Sequence, residues 1–348
     1  METKIVKGTC ELMCSKNEEE LRVRERLLNF YEFKDGRKNV PGILVSEFAR
    51  SAAGMQRPKK FELRTEFALQ KTVNYLLQTV ITDKRRPFSH VYDFIFDRLR
   101  AVRQEMVIQC FEEDATVKIL EPIIMFLSFS RYHLCEEAVD NFDPKICDQH
   151  LQECLKRVLC CYDALFLKDG EEMGFKEEKT RVFMECLYLS FNLGNPEALQ
   201  RSLKVPEIIK RSPLFKQVRR VSLDFFLQNY LKTMMEIREL PHLLCAMCSL
   251  KMQSIRRNAL QVFSYAYHNK TLGVPLDWLS KILFLSEDGL KIYLKYYEIE
   301  VNCDTNLVKF SKTQFSGNKA LPKSIKEEFV EEKIKKIYLP ELLLLKKF

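Results

Sequence analysis

Glycine and proline are scarce in this chain, with 10 and 12 among 348 residues, and there is a single tryptophan. So few turn-formers cannot punctuate an all-β protein of this size. No apolar run approaches the roughly 20 residues that span a bilayer, so no membrane segment is expected. The Leu342 to Leu345 run stops at Lys346 and Lys347 and suits the end of a docking helix. Met1-Glu2-Thr3-Lys4 opens without the apolar stretch of a secretory signal, so the twelve cysteines are expected as reduced thiols in cytosol or nucleus. Several of them, including Cys154, Cys160, Cys186 and Cys245, stand in for apolar residues inside helices.

Catalytic signatures are missing as well. Five histidines are scattered, with no H-E-x-x-H, no G-x-S-x-G and no phosphate loop. Asp93 and Asp97 lie one turn apart, but Arg98, Arg100 and Arg103 follow, and the carboxylates are expected to neutralise them. His133, beside Arg131 and Tyr132, suits a buried, hydrogen-bonded residue that fixes helix packing better than a general base. Three cysteine groups have spacings that zinc accepts: Cys10 with Cys14, Cys245 with Cys248, and Cys147 with His150 and Cys154. Only the first sits on loop-like sequence, and Leu243-Leu244-Cys245-Ala246-Met247-Cys248 has core composition, so buried thiols are the stronger reading. No enzyme, cofactor or metal is expected.

What the chain does have is helix periodicity. Val91, Phe94, Ile95, Leu99, Val102 and Met106 make one apolar stripe, with Arg98, Arg100 and Arg103 expected off its centre. Leu69, Val73, Leu76, Leu77 and Val80 form another before Pro87. Leu151, Leu155, Val158, Leu159, Tyr162 and Phe166 form a third, closed by Asp169-Gly170. Asn195-Pro196 supplies a cap and a first-turn proline ahead of Leu214, Val218, Val221 and Phe225, and Ile255, Ala259, Val262 and Ala266 continue the series. Such helices joined by short turns are expected to pack as antiparallel pairs stacked into a right-handed array. Ahead of them, Glu18-Glu19-Glu20 with Arg22, Arg24 and Arg26 marks a charged helix anchored by Leu21, Leu28 and Phe30, followed by turns at Asp35-Gly36 and Pro41-Gly42.

The pattern changes after Gly273. Pro275 to Leu285 predicts a short helix, and Ser286 can cap a second whose Leu290, Leu294 and Tyr297 face inward. Glu298 to Val301 and Leu307 to Phe310 then alternate around the Asp304-Thr305-Asn306 turn, a hairpin signal. Helix, helix, hairpin is the winged-helix order. Lys291 and Lys295, four apart, share the outer face of the second helix. They are the leading candidates for sequence-independent phosphate contact, with Lys281, Lys309 and Lys312 widening the patch and Arg256 and Arg257 adjoining it. Tyr293 and Tyr297 fit core packing better than base stacking.

Net charge is +8, but its distribution says more: residues 50–105 carry 12 basic and 6 acidic side chains, 106–200 carry 9 and 18, and 201–260 carry 12 and 4. An acidic middle between basic parts suits a scaffold touching both a polyanion and a basic protein surface.

Several blocks, in order, resemble the SAC/GANP family of helical mRNA-export scaffolds. They are Gly8-Thr9-Cys10 with Cys14; Val45-Ser46-Glu47-Phe48-Ala49-Arg50-Ser51-Ala52-Ala53-Gly54; Phe129-Ser130-Arg131-Tyr132-His133-Leu134; Asn141-Phe142-Asp143-Pro144-Lys145-Ile146; and Ile255-Arg256-Arg257-Asn258-Ala259-Leu260. The likeness runs from about Gly8 to about Ala320, with Glu11 and Ser15 where the family usually carries prolines. It implies an all-α protein: a TPR-like right-handed superhelix ending in a winged-helix (PCI-type) module with a small β-hairpin. It also implies an N-terminal arm over 1–45 that wraps back along the array and leaves Gly8-Thr9-Cys10 ordered. The array would then occupy 46–270, the winged helix 271–320 and a charged C-terminal helix or tail 321–348. The implied partners are a PCI-domain protein, docking on Trp278, Tyr296 and Phe310, a small acidic DSS-like protein, and RNA. The implied location is nucleus and cytoplasm. The chain's brevity raises the alternative of a short family member acting at centrosome and spindle.

Overall fold

The computed structural model describes residues 6–34, 40–49, 58–169, 175–269, 271–302, 304–313 and 315–346. The Arg50 to Gly54 end of the arm block, Asp35-Gly36 and Gly170 lie outside them. The protein is mostly helical and divides into two compact units, Met1–Met184 with Lys336–Phe348, and Glu185–Lys335. These divisions fall at other places than the turn at Gly273.

In the first unit, α1 (Lys16–Arg24), α2 (Glu66–Gln78), α3 (Phe88–Ile108), α4 (Glu113–His133) and α5 (Pro144–Asp169) follow one another. Their starts are chemical: Ser15 accepts from the Glu18 amide, Thr65 accepts from the Ala68 amide at 3.2 Å, and Pro87 precedes α3. The stripes at Leu69 to Val80 and Val91 to Met106 are buried as the spacing predicts. α4 is buried on nearly all sides, which explains its run from Ile119 to Ser130. α6 (Phe175–Phe191) carries the chain into the second unit.

That unit contains α7 (Pro196–Lys204), α8 (Glu207–Arg211), α9 (Pro213–Phe226), α10 (Tyr230–Glu239), α11 (His242–Ser249) and α12 (Met252–Ala266). Asn195 caps α7, accepting from the Glu197 amide at 2.8 Å. Of the expected α12 stripe Ile255 and Ala259 face inward, whereas Val262 and Ala266 are exposed, and Arg256, Leu260 and Phe263 are buried in their place. β1 (Val274–Pro275), α13 (Leu276–Leu283), α14 (Glu287–Tyr296), β2 (Glu300–Asn302), β3 (Leu307–Lys309) and α15 (Glu328–Ile334) complete it. The chain then returns to the first unit as α16 (Leu339–Leu343), which packs on α2 and α4 with Leu342, Leu343 and Leu345 buried.

Four arginines, Arg22, Arg64, Arg181 and Arg256, are among the largest fully buried side chains. The α1 anchor is therefore not Leu21, which is exposed, but Arg22, which meets Glu32, Glu18 and Glu47 and donates to the Val45 carbonyl at 3.0 Å. Arg98, expected off the α3 stripe, is buried too, between Asp97 and Glu32. Of the two aspartates on this helix, Asp97 meets its arginine. Arg64 binds Glu105, and Gln109 bridges the Arg64 carbonyl to the Gly8 amide. A Cβ on Gly8 would stand 2.4 Å from the Leu63 carbonyl oxygen, so this close approach of backbones requires glycine.

Candidate nucleic-acid interface

The C-terminal part of the second unit builds the proposed lysine surface. Val274 pairs with Val308 and Glu300 with Lys309, so the sheet order is β1-β3-β2, all antiparallel. Ser286 caps α14 by accepting from the Gly289 amide at 3.1 Å. Leu290, Tyr293, Leu294 and Tyr297 point inward, as their spacing predicts; the Tyr293 hydroxyl donates to the Gln253 carbonyl at 2.8 Å, and burial pushes its pKa up, so it remains a donor. Asp288, Lys291, Ile292, Lys295 and Tyr296 are left outward.

Lys291 and Lys295 are both exposed, one turn apart. The Lys291 ammonium lies 3.9 Å from Asp288, and Lys295 meets no carboxylate within 4 Å among the described residues. Lys281 is exposed on α13, 3.6 Å from Asp277. Lys309 is half-buried opposite Glu300 across the strand pair, and Lys312 extends its ammonium over the Tyr265 ring at 5.7 Å. The Lys281 and Lys312 charges are thus partly met locally. Arg257 is half-buried and bonds Asn258 at 3.0 Å.

Two expected residues are placed elsewhere. Arg256 is fully buried: its guanidinium binds Glu327 through two 2.7 Å bonds and donates to the Leu283 and Phe284 carbonyls at 2.8 and 3.0 Å. It ties the end of α13, where Phe284 takes a left-handed φ of 52°, to α12 and cannot reach a phosphate. Phe310, expected to meet a partner, packs inside against Phe263 and Tyr267 with 2% exposure. Alternation along β3 turned it inward. Trp278 remains exposed and lines a surface groove with Tyr267, Leu272 and Pro275. Tyr296 is exposed, its hydroxyl donating to the Ala320 carbonyl at 2.8 Å. Sequence reasoning missed Lys319, which lies over the Tyr296 ring and binds Glu298 at 2.7 Å. It stands in irregular chain, where no periodicity marks a face.

Most of the cysteines described behave as core, but Cys110 is exposed, and so is Cys160, which was expected to take an apolar position. Cys14, Cys147, Cys245 and Cys248 are buried, and burial pushes each thiol up to about 12. Cys248 donates to the Ser190 carbonyl and Cys147 to the Leu127 carbonyl. Among the described residues no three His, Cys, Asp or Glu side chains gather as a metal site. His133 is half-buried, stacked on Phe129 and edge-on to Phe88, while Arg131 binds Asp148 at 2.6 Å.

The chain is thus a mostly helical protein whose α14 leaves Lys291 and Lys295 exposed on one face. The model of the SAC3/GANP family matches residues 13–303, and the chain belongs to that family. This is a scaffold-type family linked to mRNA export. Protein xmas of Drosophila melanogaster is 25% identical over 309 residues, 85% of this chain and 15% of its own length. SAC3 family protein B of Arabidopsis thaliana is 23% identical over 85% of this chain and 18% of its own length. SAC3 family protein 1 of Schizosaccharomyces pombe is 23% identical over 88% of this chain and 32% of its own. The chain thus spans a third or less of these relatives.

Proposed function

We propose that the chain is a non-enzymatic scaffold of nuclear mRNA export: a TPR-like helical array ending in a PCI-type winged helix that pairs with a PCI-domain protein and presents α14 to RNA. The observation that carries the reading is the outward face of α14, with Lys291 and Lys295 one turn apart in a chain of this family. The sequence α12, β1, α13, α14, β2, β3 with sheet order β1-β3-β2 supports the winged-helix assignment, and exposed Trp278 and Tyr296 supply apolar surface for a partner. Ammonium groups on a helix face meet phosphates without reading bases, so binding is sequence-independent and salt-sensitive.

The test is titration of labelled oligouridylate with the Lys291→Glu/Lys295→Glu chain. Each lost phosphate contact on a single strand removes about 0.7 from the log–log salt slope, so the double variant should bind at least about tenfold more weakly and with a shallower slope. Unchanged affinity with unchanged helicity removes α14 as the RNA surface. Co-purification with a PCI-domain protein, lost on Trp278→Glu, tests the pairing. A tagged chain should be found in nucleus and cytoplasm, whereas accumulation at spindle poles through mitosis would favour the cell-division role.

A further inference from the structure

In the first unit α3, α4 and α5 enclose a surface groove of about 800 Å³ unrelated to α14. Its floor is apolar, with Met106, Leu120 and Cys154 buried beneath it, and its lip carries Val107 and Ile108, 71% and 38% exposed. Three guanidinium groups, from Arg100, Arg103 and Arg157, stand around this floor, against one carboxylate, Glu153. Glu153 is already engaged by Arg103 at 3.1 Å, whose other amino group donates to His150 Nδ1 at 2.7 Å. Burial and the Arg103 charge lower the His150 pKa, so it stays a neutral acceptor. Arg100 and Arg157 meet no carboxylate within 4 Å among the described residues. Two uncompensated guanidiniums beside a greasy trough form a surface in need of complementary charge.

We propose that this groove docks a short acidic peptide segment of a partner protein, which seats an aliphatic or aromatic side chain on the floor and sets carboxylates against Arg100, Arg103 and Arg157.

Charge and ring placement favour a peptide over RNA. Arg100 and Arg103 close the basic stretch 50–105, but residues 106–200, which supply the α4 and α5 walls of the groove, carry twice as many acidic as basic side chains. A polyanion longer than the screening length of about 8–10 Å would meet that surplus, whereas two or three carboxylates spaced along a peptide need not. The rings at the groove are not free platforms for bases: the Arg100 guanidinium lies over Phe48 at 3.8 Å and the Lys7 ammonium over Phe111 at 5.6 Å. Aliphatic side chains at the lip instead match an apolar anchor, the arrangement by which amphipathic segments enter grooves. The volume admits a few residues, not a domain.

A random twelve-residue peptide library displayed on phage and panned on the full chain should enrich sequences in which two or more carboxylates flank a leucine, isoleucine or phenylalanine. A peptide of the enriched sequence should lose at least tenfold in affinity on Arg103→Glu/Arg157→Glu. Because Arg103 also holds His150 and Glu153, the exposed variants Arg157→Glu and Val107→Asp are measured beside it; each should weaken binding about threefold or more while leaving the melting curve unchanged. Enrichment of neutral or basic peptides, or equal binding by all variants, overturns the proposal. So does arginine-dependent binding of oligouridylate in the groove, which would make the occupant RNA. The α14 reading is scored on its own lysine variant, so either can fail without the other.

Discussion

Arg256 and Lys295 are both cations on amphipathic helices near the C-terminal module, yet one is sealed and the other open. The difference lies in Glu327, which stands 71 residues from Arg256 and meets it only in the folded unit. A buried carboxylate left without its cation is costly, so Arg256→Met should lower unfolding free energy by about 3–5 kcal/mol, read from urea denaturation. Arg256→Met with Glu327→Leu should recover most of that loss, because both charges then leave the interior together. Recovery absent in the double variant would mean that the tie to the Leu283 and Phe284 carbonyls dominates. The burial of Arg22, Arg64 and Arg98 escapes a sequence reading for the same reason: beside the near partners Glu18 and Asp97, each meets a carboxylate 10 to 66 residues away, and a helix stripe drawn from apolar residues alone leaves arginine outside. Phe310 erred the other way, since its neighbours in space, Phe263 and Tyr267, belong to α12 and its C-cap.

At the scale of elements, α14 was legible down to its cap because its signals are local: Ser286 at the start, inward residues at helical spacing and lysines opposite. The hairpin was legible through alternation, but β1 was not. Two residues, one of them proline, carry no period, and only pairing with β3 makes them a strand. α11 carries a pH prediction. His242 is lowered to about 4 by burial and the Lys333 ammonium, while the unfolded chain takes that proton near its ordinary value of 6.5. Its contribution to stability is full above about 6.5 and is lost as pH falls toward 4. Cys245 and Cys248 are pushed from 9.0 up to about 12 by burial, so their contribution is full below about 9 and is lost as pH rises toward 12. Each group changes stability by at most about 1.4 kcal/mol per pH unit inside its window. Hydrogen exchange of α11 between pH 5 and 10.5 should show slowest opening, after correction for intrinsic rates, between about 6.5 and 9. His242→Gln should flatten the acid limb alone.

For the whole molecule, the C-terminal residues illustrate how far a short segment can matter. The Leu342 to Leu345 run was expected to dock, and it does so on α2 and α4 in the unit formed by the first half of the chain. Deleting Lys336–Phe348 removes three buried leucines, each contributing about 1.5–3 kcal/mol when fully enclosed. A loss of about 5 kcal/mol is expected after allowing for residual burial in the unfolded chain. It should appear in hydrogen exchange as faster opening of α2 and α4, with α11 and α12 unchanged. Uniform exchange before and after deletion would show that these leucines add nothing to that unit.

The amino-acid sequence by itself determined the helical class, the apolar faces of α2, α3 and α5, the caps at Asn195 and Ser286, and the family, because each is written in residues a few positions apart or in ordered blocks. Only the tertiary structure decided which charges serve the interior and which remain for a partner. An arginine's fate depends on whether a carboxylate is brought to it, and its burial is tolerable only with that carboxylate in place. The groove at Arg100, Arg103 and Arg157 belongs to the same class of fact: α3 and α5 bring its guanidiniums together, and no single stretch of the chain contains it.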